Sequence, residues 1–236
     1  MLRPLRVHAA RPLTQAFFAR ETLAVAVDLL GALLVRGSVV LRISEVEAYR
    51  HPFDSANHCR SGRTARNAPM WGPPGHAYLY LCYGMHALLN LVTDQDGHGA
   101  AVLIRGAEPV AGHALIAERR GGKLTPASLA GPGKVAAALG LGVGNSGMPL
   151  APEAGLYAAE GPGPGRFRVG PRVGVDYAAA RDRTAPYRLA LLDSRWVSQP
   201  KGLSVWGGTA AEFLRAHPPH TCAAELAGVS PRRTRL

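Results

Sequence analysis

The chain has 236 residues and a formal net charge of +11, from 27 basic against 16 acidic side chains, and 47% of it is apolar. That apolar content suffices to bury a core and excludes a disordered polycation, while Cys59, Cys82 and Cys222, with no C-x-x-C pair, argue against a disulfide scaffold or a thiolate zinc site. A folded domain this basic points to a polyanionic partner, nucleic acid being the commonest, although arginines outnumbering Lys123, Lys134 and Lys201 so heavily are also what GC-rich codon usage gives.

In chain order, the first twenty residues are arginine-rich without an acid, but they lack the continuous apolar core of a signal peptide. A cytoplasmic location is expected, nucleoid-associated in a bacterial cell. A helix is expected from Thr22 to about Val35; its apolar run from Leu23 is broken by Asp28 and Gly31 and is too short to span a membrane. Val39 to Tyr49 alternates and is β-branched, so it reads as a strand with Leu41, Ile43, Glu45, Glu47 and Tyr49 on one face. Acids on an apolar face are unusual, because a core-facing carboxylate must be paired or have a raised pKa.

Residues 50–75 form a long polar, Gly/Pro-rich stretch without periodicity, the kind of connection that tends to carry function. Strands are expected at Gly75–Tyr83, Met85–Thr93 and Ala101–Arg105, the last two joined across the turn D94-Q-D-G97. Tyr78 and Tyr80 then share a face, and Tyr83 ends its strand beside Gly84. Helices are expected near 108–120 and 131–140, strands at Phe167–Val175 and Tyr187–Leu192, and a short helix at Thr209–His217 before a basic tail, P231-R-R-T-R235. The connector G161-P-G-P-G165 could mark a boundary, but the piece after it is too small to fold comfortably alone, so a single mixed domain without internal repeats is expected.

The basic excess sits in residues 1–20, 50–71, 105–134, 166–204 and 229–236, and residues 72–104 contain no Lys or Arg. That neutral block holds Tyr78, Tyr80 and Tyr83. An aromatic block inside a basic rim suits a surface that handles bases between phosphates, and a buried central strand between solvated loops gives the same pattern.

Glu45 and Glu47, two apart on a strand, lie about 6.6–6.8 Å from each other. That is near the carboxylate separation of an inverting glycoside hydrolase, but both project from the same side, which disfavours opposite faces of one sugar. A lone carboxylate that positions and deprotonates a water fits better; an ion pair with an arginine is the structural alternative. G-P-G-K at 131–134 lacks P-loop spacing, and neither H-E-x-x-H nor G-x-S-x-G occurs, so phosphoryl transfer and zinc hydrolysis have no anchor.

Several motifs in fixed order carry a resemblance: E45-V-E-A-Y49, H58-C-R-S-G-R-T with R66-N, G75-H-A-Y-L-Y-L-C-Y-G-M85 with Asn90, A101-V-L-I-R105 with Glu108-Pro109, then G131-P-G-K134, R172-V-G-V175 and W196-V-S198. Together they resemble the alkyladenine (3-methyladenine) DNA glycosylase family over about residues 15–200, with 199–236 as an extension of a single 1–236 domain. The resemblance implies a mixed α+β fold: a curved, mainly antiparallel sheet flanked by helices, with a protruding hairpin carrying a DNA wedge. It implies a monofunctional DNA repair hydrolase that cuts the N-glycosidic bond of damaged purines in duplex DNA. Glu47 would be the general base on water, with Arg105 helping to hold that water. Tyr49, His58 and Tyr80 would enclose the flipped base, Asn90 would form pocket wall against the exocyclic amine of guanine, and Tyr83 would wedge into the duplex. Met70 and Trp71 are further candidates for the wall.

No metal or organic cofactor is expected, the partner is duplex DNA with damaged purines and not a membrane, and the protein is expected to be a monomer. The few lysines, none near Glu47 or Tyr83 in sequence, argue against a Schiff-base lyase step. Cys59, where the family more often has serine, and a longer D94-Q-D-G-H-G segment bear on lesion preference. The rival readings are a non-catalytic binder of damaged DNA and a carbohydrate hydrolase using Glu45 and Glu47.

Overall fold

The computed structural model describes residues 10–219, so the basic tail and Cys222 lie outside the described residues. After α1 (Gln15–Phe18), α2 spans Thr22–Leu29, capped where the Glu21 side chain accepts the Ala24 N–H. It ends well short of the expected Val35. Leu30 is extended and Gly31, at φ 84°, turns the chain into β1 (Leu33–Arg36), which pairs antiparallel with β2 (Val39–Tyr49). The run Leu23–Val35 is buried almost throughout, so its hydrophobicity fits a buried helix and a buried strand equally, and only Gly31 marks the break.

The remaining strands are β3 (Ala77–Cys82), β4 (His86–Val92), β5 (Ala101–Ala111), β6 (Tyr157–Ala159), β7 (Phe167–Gly170), β8 (Arg188–Leu191) and β9 (Ser204–Val205). Among the described residues, nine strands form one open antiparallel sheet in the order β3-β4-β5-β2-β8-β7-β9, with β1 on β2 and β6 on β1. The helices after β5 are α3 (His113–Arg119), α4 (Pro132–Ala138), α5 (Ala180–Thr184) and α6 (Ala210–Ala216). α3 begins later than expected because β5 continues past Arg105 to Ala111, where Gly112 at φ 77° redirects the chain. The strand expected at Phe167–Val175 stops at Gly170, which frees 171–175 to approach β2. None of the described helices is long and apolar enough to cross a membrane.

β6 and β7 lie on either side of the connector 161–165 and belong to the same sheet, so the connector is no boundary. It is packed against the α2–β1 turn: a Cβ built on Gly161 would stand 1.9 Å from the Gly31 carbonyl oxygen. Gly161→Ala is therefore expected to destabilise the fold by about 1–3 kcal/mol. Thermal unfolding checks this, at roughly 2–4 °C per kcal/mol for a chain of this size.

The feature that positions the site is a double bulge. β2 and β5 pair regularly at Ile43–Ala107 and again at Val46–Ile104, with two residues on each strand between: Ser44–Glu45 and Arg105–Gly106. Side-chain alternation therefore shifts by one on both strands. Ile43, Val46, Ala48, Ile104 and Ala107 all join the core that contains α2 and α4. Glu45, Glu47 and Tyr49 turn to the opposite side, so the expected common face with Leu41 and Ile43 is corrected. Gly106 is required at the bulge, since a Cβ there would lie 2.5 Å from the Trp196 carbonyl oxygen.

Candidate active site

Glu47 is fully buried on the face to which the bulge turns it. Its Oε2 accepts a 2.8 Å hydrogen bond from the Tyr49 hydroxyl, its Oε1 accepts one of 2.8 Å from the Val173 N–H, and Arg105 Nη1 lies 3.4 Å from Oε2. Burial opposes the charge of Arg105, but Glu47 and Glu45 outweigh it and hold the guanidinium above its ordinary pKa. The Tyr49 hydroxyl is kept protonated, first by burial and then by the charge of Glu47, so it acts as a donor.

Glu45, also fully buried, forms a second ionic group behind Arg105. Its Oε2 accepts a 2.6 Å bond from the Ser198 N–H, its Oε1 a 3.0 Å bond from the Ser198 hydroxyl, and Arg188 Nη1 donates to Oε1 at 3.3 Å. Burial pushes the Glu45 carboxyl above the ordinary carboxylate range, while Arg105, Ser198 and Arg188 pull against that.

Tyr49 joins this charged group to an aromatic pocket. Tyr49, His58, Met70, Tyr78, Tyr80 and Asn90 line one cavity of about 10 Å³. On β3, Tyr78 and Tyr80 share a face, with ring centroids 5.7 Å apart. His58 meets Tyr80 edge-on at 4.4 Å and places Nδ1 3.2 Å from the Tyr78 hydroxyl. On β4, Asn90 stands opposite Tyr78, and its Nδ2 donates to the carbonyls of Tyr78 (3.2 Å) and Leu88 (3.4 Å), which fixes the amide.

The loop that delivers His58 is ordered by buried amides. Asn57 Nδ2 donates to the carbonyls of Arg50 and Gly99, both at 2.7 Å, and Asn67 Nδ2 donates to those of His58 (3.1 Å) and Gly62 (3.0 Å). Burial, with Arg66 and Arg60 nearby, lowers the His58 pKa to about 4, so its imidazole is neutral at pH 7. NMR is expected to show no titration of its ring between pH 5.5 and 8. The unfolded chain protonates at about pH 6.5 and the native state only near 4, so this group's contribution to stability is full above pH 6.5 and declines as the pH falls towards 4.

The hairpin β3–β4 closes with Tyr83 at φ 50° and Gly84 at φ 69°, the Met85 N–H donating to the Cys82 carbonyl at 3.1 Å. Both central residues thus have the positive φ of a primed turn. Tyr83 is 89% exposed, outside the pocket that the other candidates form. Arg60, Arg63 and Arg66 are exposed on the 50–75 loop, Arg60 lying 4.7 Å over the ring of Tyr177. Met70 lines the cavity; Trp71 packs on the same aromatic cluster without lining it.

Four contributors escaped sequence reasoning. Val173 acts through its backbone, which no side-chain pattern reveals. Ser198 and Arg188 reach Glu45 from segments remote in sequence. Arg172 supports Tyr49 from below: it pairs with buried Asp54, donates to the Ala48 carbonyl at 2.9 Å and stands 4.8 Å from the Tyr49 ring. Arg172, Val173 and Ser198 all stand in the ordered motifs R172-V-G-V175 and W196-V-S198, but their tasks were not visible there.

A buried carboxylate beside an arginine, and joined through a tyrosine to an aromatic pocket, can chemically serve to polarise a water next to a flat aromatic group. The chain matches the family described as methylpurine-DNA glycosylase over residues 16–195. It is 58% identical over 182 residues to a Nitrosococcus oceani protein named as a 3-methyladenine DNA glycosylase, covering 77% of this chain and 90% of that one. It is 52% identical over 187 residues to the DNA-3-methyladenine glycosylase of Arabidopsis thaliana, covering 78% and 73%, and 44% identical over 192 residues to a similarly named protein of Methanocella arvoryzae, covering 79% and 96%. The chain belongs to the methylpurine-DNA glycosylase family, whose reaction is the hydrolysis of N-glycosyl bonds in DNA repair.

Proposed function

We propose that this protein extrudes alkylated or deaminated purines from duplex DNA and cuts their N-glycosyl bond with a water activated by Glu47, leaving an abasic site. The observation that carries this reading is the direct bond from Tyr49, a wall of the aromatic pocket, to the buried carboxylate of Glu47. A base held against Tyr49 brings its sugar C1′ towards that carboxylate.

A base inside a duplex is out of reach, so the enzyme must flip it and offset an unstacking cost of a few kcal/mol. Tyr83 fills the gap in the stack; its exposure on a tight turn supports this role. Tyr49, Tyr80 and His58 receive the base, and admitting a purine requires rings now 4.4 Å apart to separate. Alkylated purines are often cationic, stack well on tyrosine and leave readily, with cation–π contacts worth about 0.5–2 kcal/mol. For these cationic bases what remains is a placed water and stabilisation of an oxocarbenium-like sugar, whereas a neutral deaminated purine must also take up a proton as it leaves. Glu47 supplies the base and negative charge, and Arg105 holds the water. Asn90 forms the wall that discriminates against guanine.

The reading is tested by offering alkylated duplex DNA and neutral aryl glycosides side by side. Purine release from DNA alone is expected, with binding that weakens steeply as salt rises. A carbohydrate hydrolase would cleave the glycosides and ignore salt; a mere damaged-DNA binder would release nothing. Tyr83→Ala is expected to slow excision from a stable lesion pair more than from a mismatched site, which costs less to open. Parallel single-turnover rates on the two duplexes check this, and equal losses would remove the wedge role.

A further inference from the structure

We infer that Glu45 is a positioning residue, a second carboxylate that fixes the Arg105 guanidinium from behind so that its front edge serves Glu47 and the attacking water. This rests on the proposed roles of Glu47 and Arg105. Each guanidinium nitrogen of Arg105 has its own neighbour: Nε lies 3.4 Å from Glu45 Oε1, Nη1 lies 3.4 Å from Glu47 Oε2, and Nη2 donates to the Ser198 hydroxyl at 3.1 Å. The Nη2 hydrogen bond to Ser198 fixes one edge, and the two carboxylates, at ion-pair distance and without a hydrogen bond at Nε, draw the charge from either side, so one orientation of the guanidinium is favoured.

Glu45 is itself locked. The Ser198 N–H and hydroxyl and Arg188 Nη1 bind its two oxygens, while Arg188 Nη1 also reaches the Ser198 and Gln199 carbonyls at 3.3 and 3.4 Å. Two buried carboxylates and two buried guanidiniums thus balance in charge, as the cost of burying ions demands. Arg105 shares its charge between Glu45 and Glu47, so it does not neutralise the proposed base in a one-to-one pair. The double bulge makes this possible: it sets Glu45 and Glu47 on one side of β2 with Arg105 facing both.

The test is a double-mutant cycle on single-turnover excision from a duplex with one alkylated purine, using wild type, Glu45→Gln, Arg105→Gln and the double variant, with duplex affinity measured for each. Glu45→Gln is expected to lower the rate about tenfold or more while affinity stays within about twofold, and to change the rate by less than about twofold when Arg105 is already replaced. An equal factor in both backgrounds, or a wild-type rate for Glu45→Gln, overturns the inference. Should Glu45→Gln not fold, Ser198→Ala carries the test, since its hydroxyl bridges Glu45 and Arg105; it is expected to slow excision only when Arg105 is present, and a wild-type rate overturns the role. Glu47→Gln in the same assay separates the levels. A loss there with none in Glu45→Gln defeats this inference alone, whereas full activity of Glu47→Gln defeats the underlying chemistry and this inference with it.

Discussion

Glu47→Gln is expected to lower the single-turnover rate of purine excision by about 10²–10⁴-fold while leaving lesion-duplex binding nearly intact, the range that removal of a positioned acid–base group gives. The amide keeps the size of the side chain; its single oxygen can accept from the Val173 N–H while its NH2 turns to donate to the Tyr49 hydroxyl, which can also accept. It cannot take a proton from water or offer a negative charge to a cationic sugar. The residues proposed to stack on the base (Tyr49, Tyr80 and His58) and to enter the duplex (Tyr83) are all unaltered. Single-turnover kinetics with enzyme in excess, beside an equilibrium binding measurement on the same duplex, check the split. A parallel loss of binding and rate would mean that Glu47 is structural.

The largest effect on stability is expected from Asp54→Ala. Asp54 and Arg172 are a fully buried pair, Arg172 Nη2 donating to Asp54 Oδ1 at 2.8 Å, and Asp54 also accepts the backbone N–H groups of Arg50 and Ala56. Removing the carboxylate leaves the buried Arg172 guanidinium without its ion-pair partner, with only the more distant charge of Glu47 to offset it, which costs about 3–5 kcal/mol. Urea unfolding is expected to show a lower midpoint with an unchanged slope. Excision should also suffer, because Arg172 underlies Tyr49 and Asp54 anchors the start of the loop that carries His58. A variant as stable as wild type would show that water or a neighbour compensates Arg172.

The sequence made β2 legible to its ends, because alternation and β-branching over Val39–Tyr49 admit no helix. It did not make the faces of β2 legible, because a bulge inserts a residue without changing composition. The pattern of the strand therefore put Glu47 on a face with Leu41 and Ile43, whereas its partners are Tyr49, Val173 and Arg105, the last of which the ordered motifs had already brought to it. Helix α2 was found and overextended, since Leu23–Val35 is apolar on all sides and periodicity cannot locate the turn at Gly31. Tyr49, His58, Tyr80 and Asn90 converge on one pocket from three strands and a loop. Only the ordered motifs pointed to that convergence, since spacing along the chain says nothing of contacts between strands. The lysine- and arginine-free stretch 72–104 proved to hold the pocket strands and the exposed Tyr83, while Arg60, Arg63 and Arg66 stand exposed on the loop before it.

The most direct measurement is a product analysis on a duplex with one alkylated purine, in which the free base and the lesion strand are both followed. Hydrolysis by a Glu47-activated water predicts free purine in equal amount to strands that stay whole until alkali cleaves them at the abasic site. Strands nicked without alkali, or a bound lesion duplex that never releases its base, would contradict it.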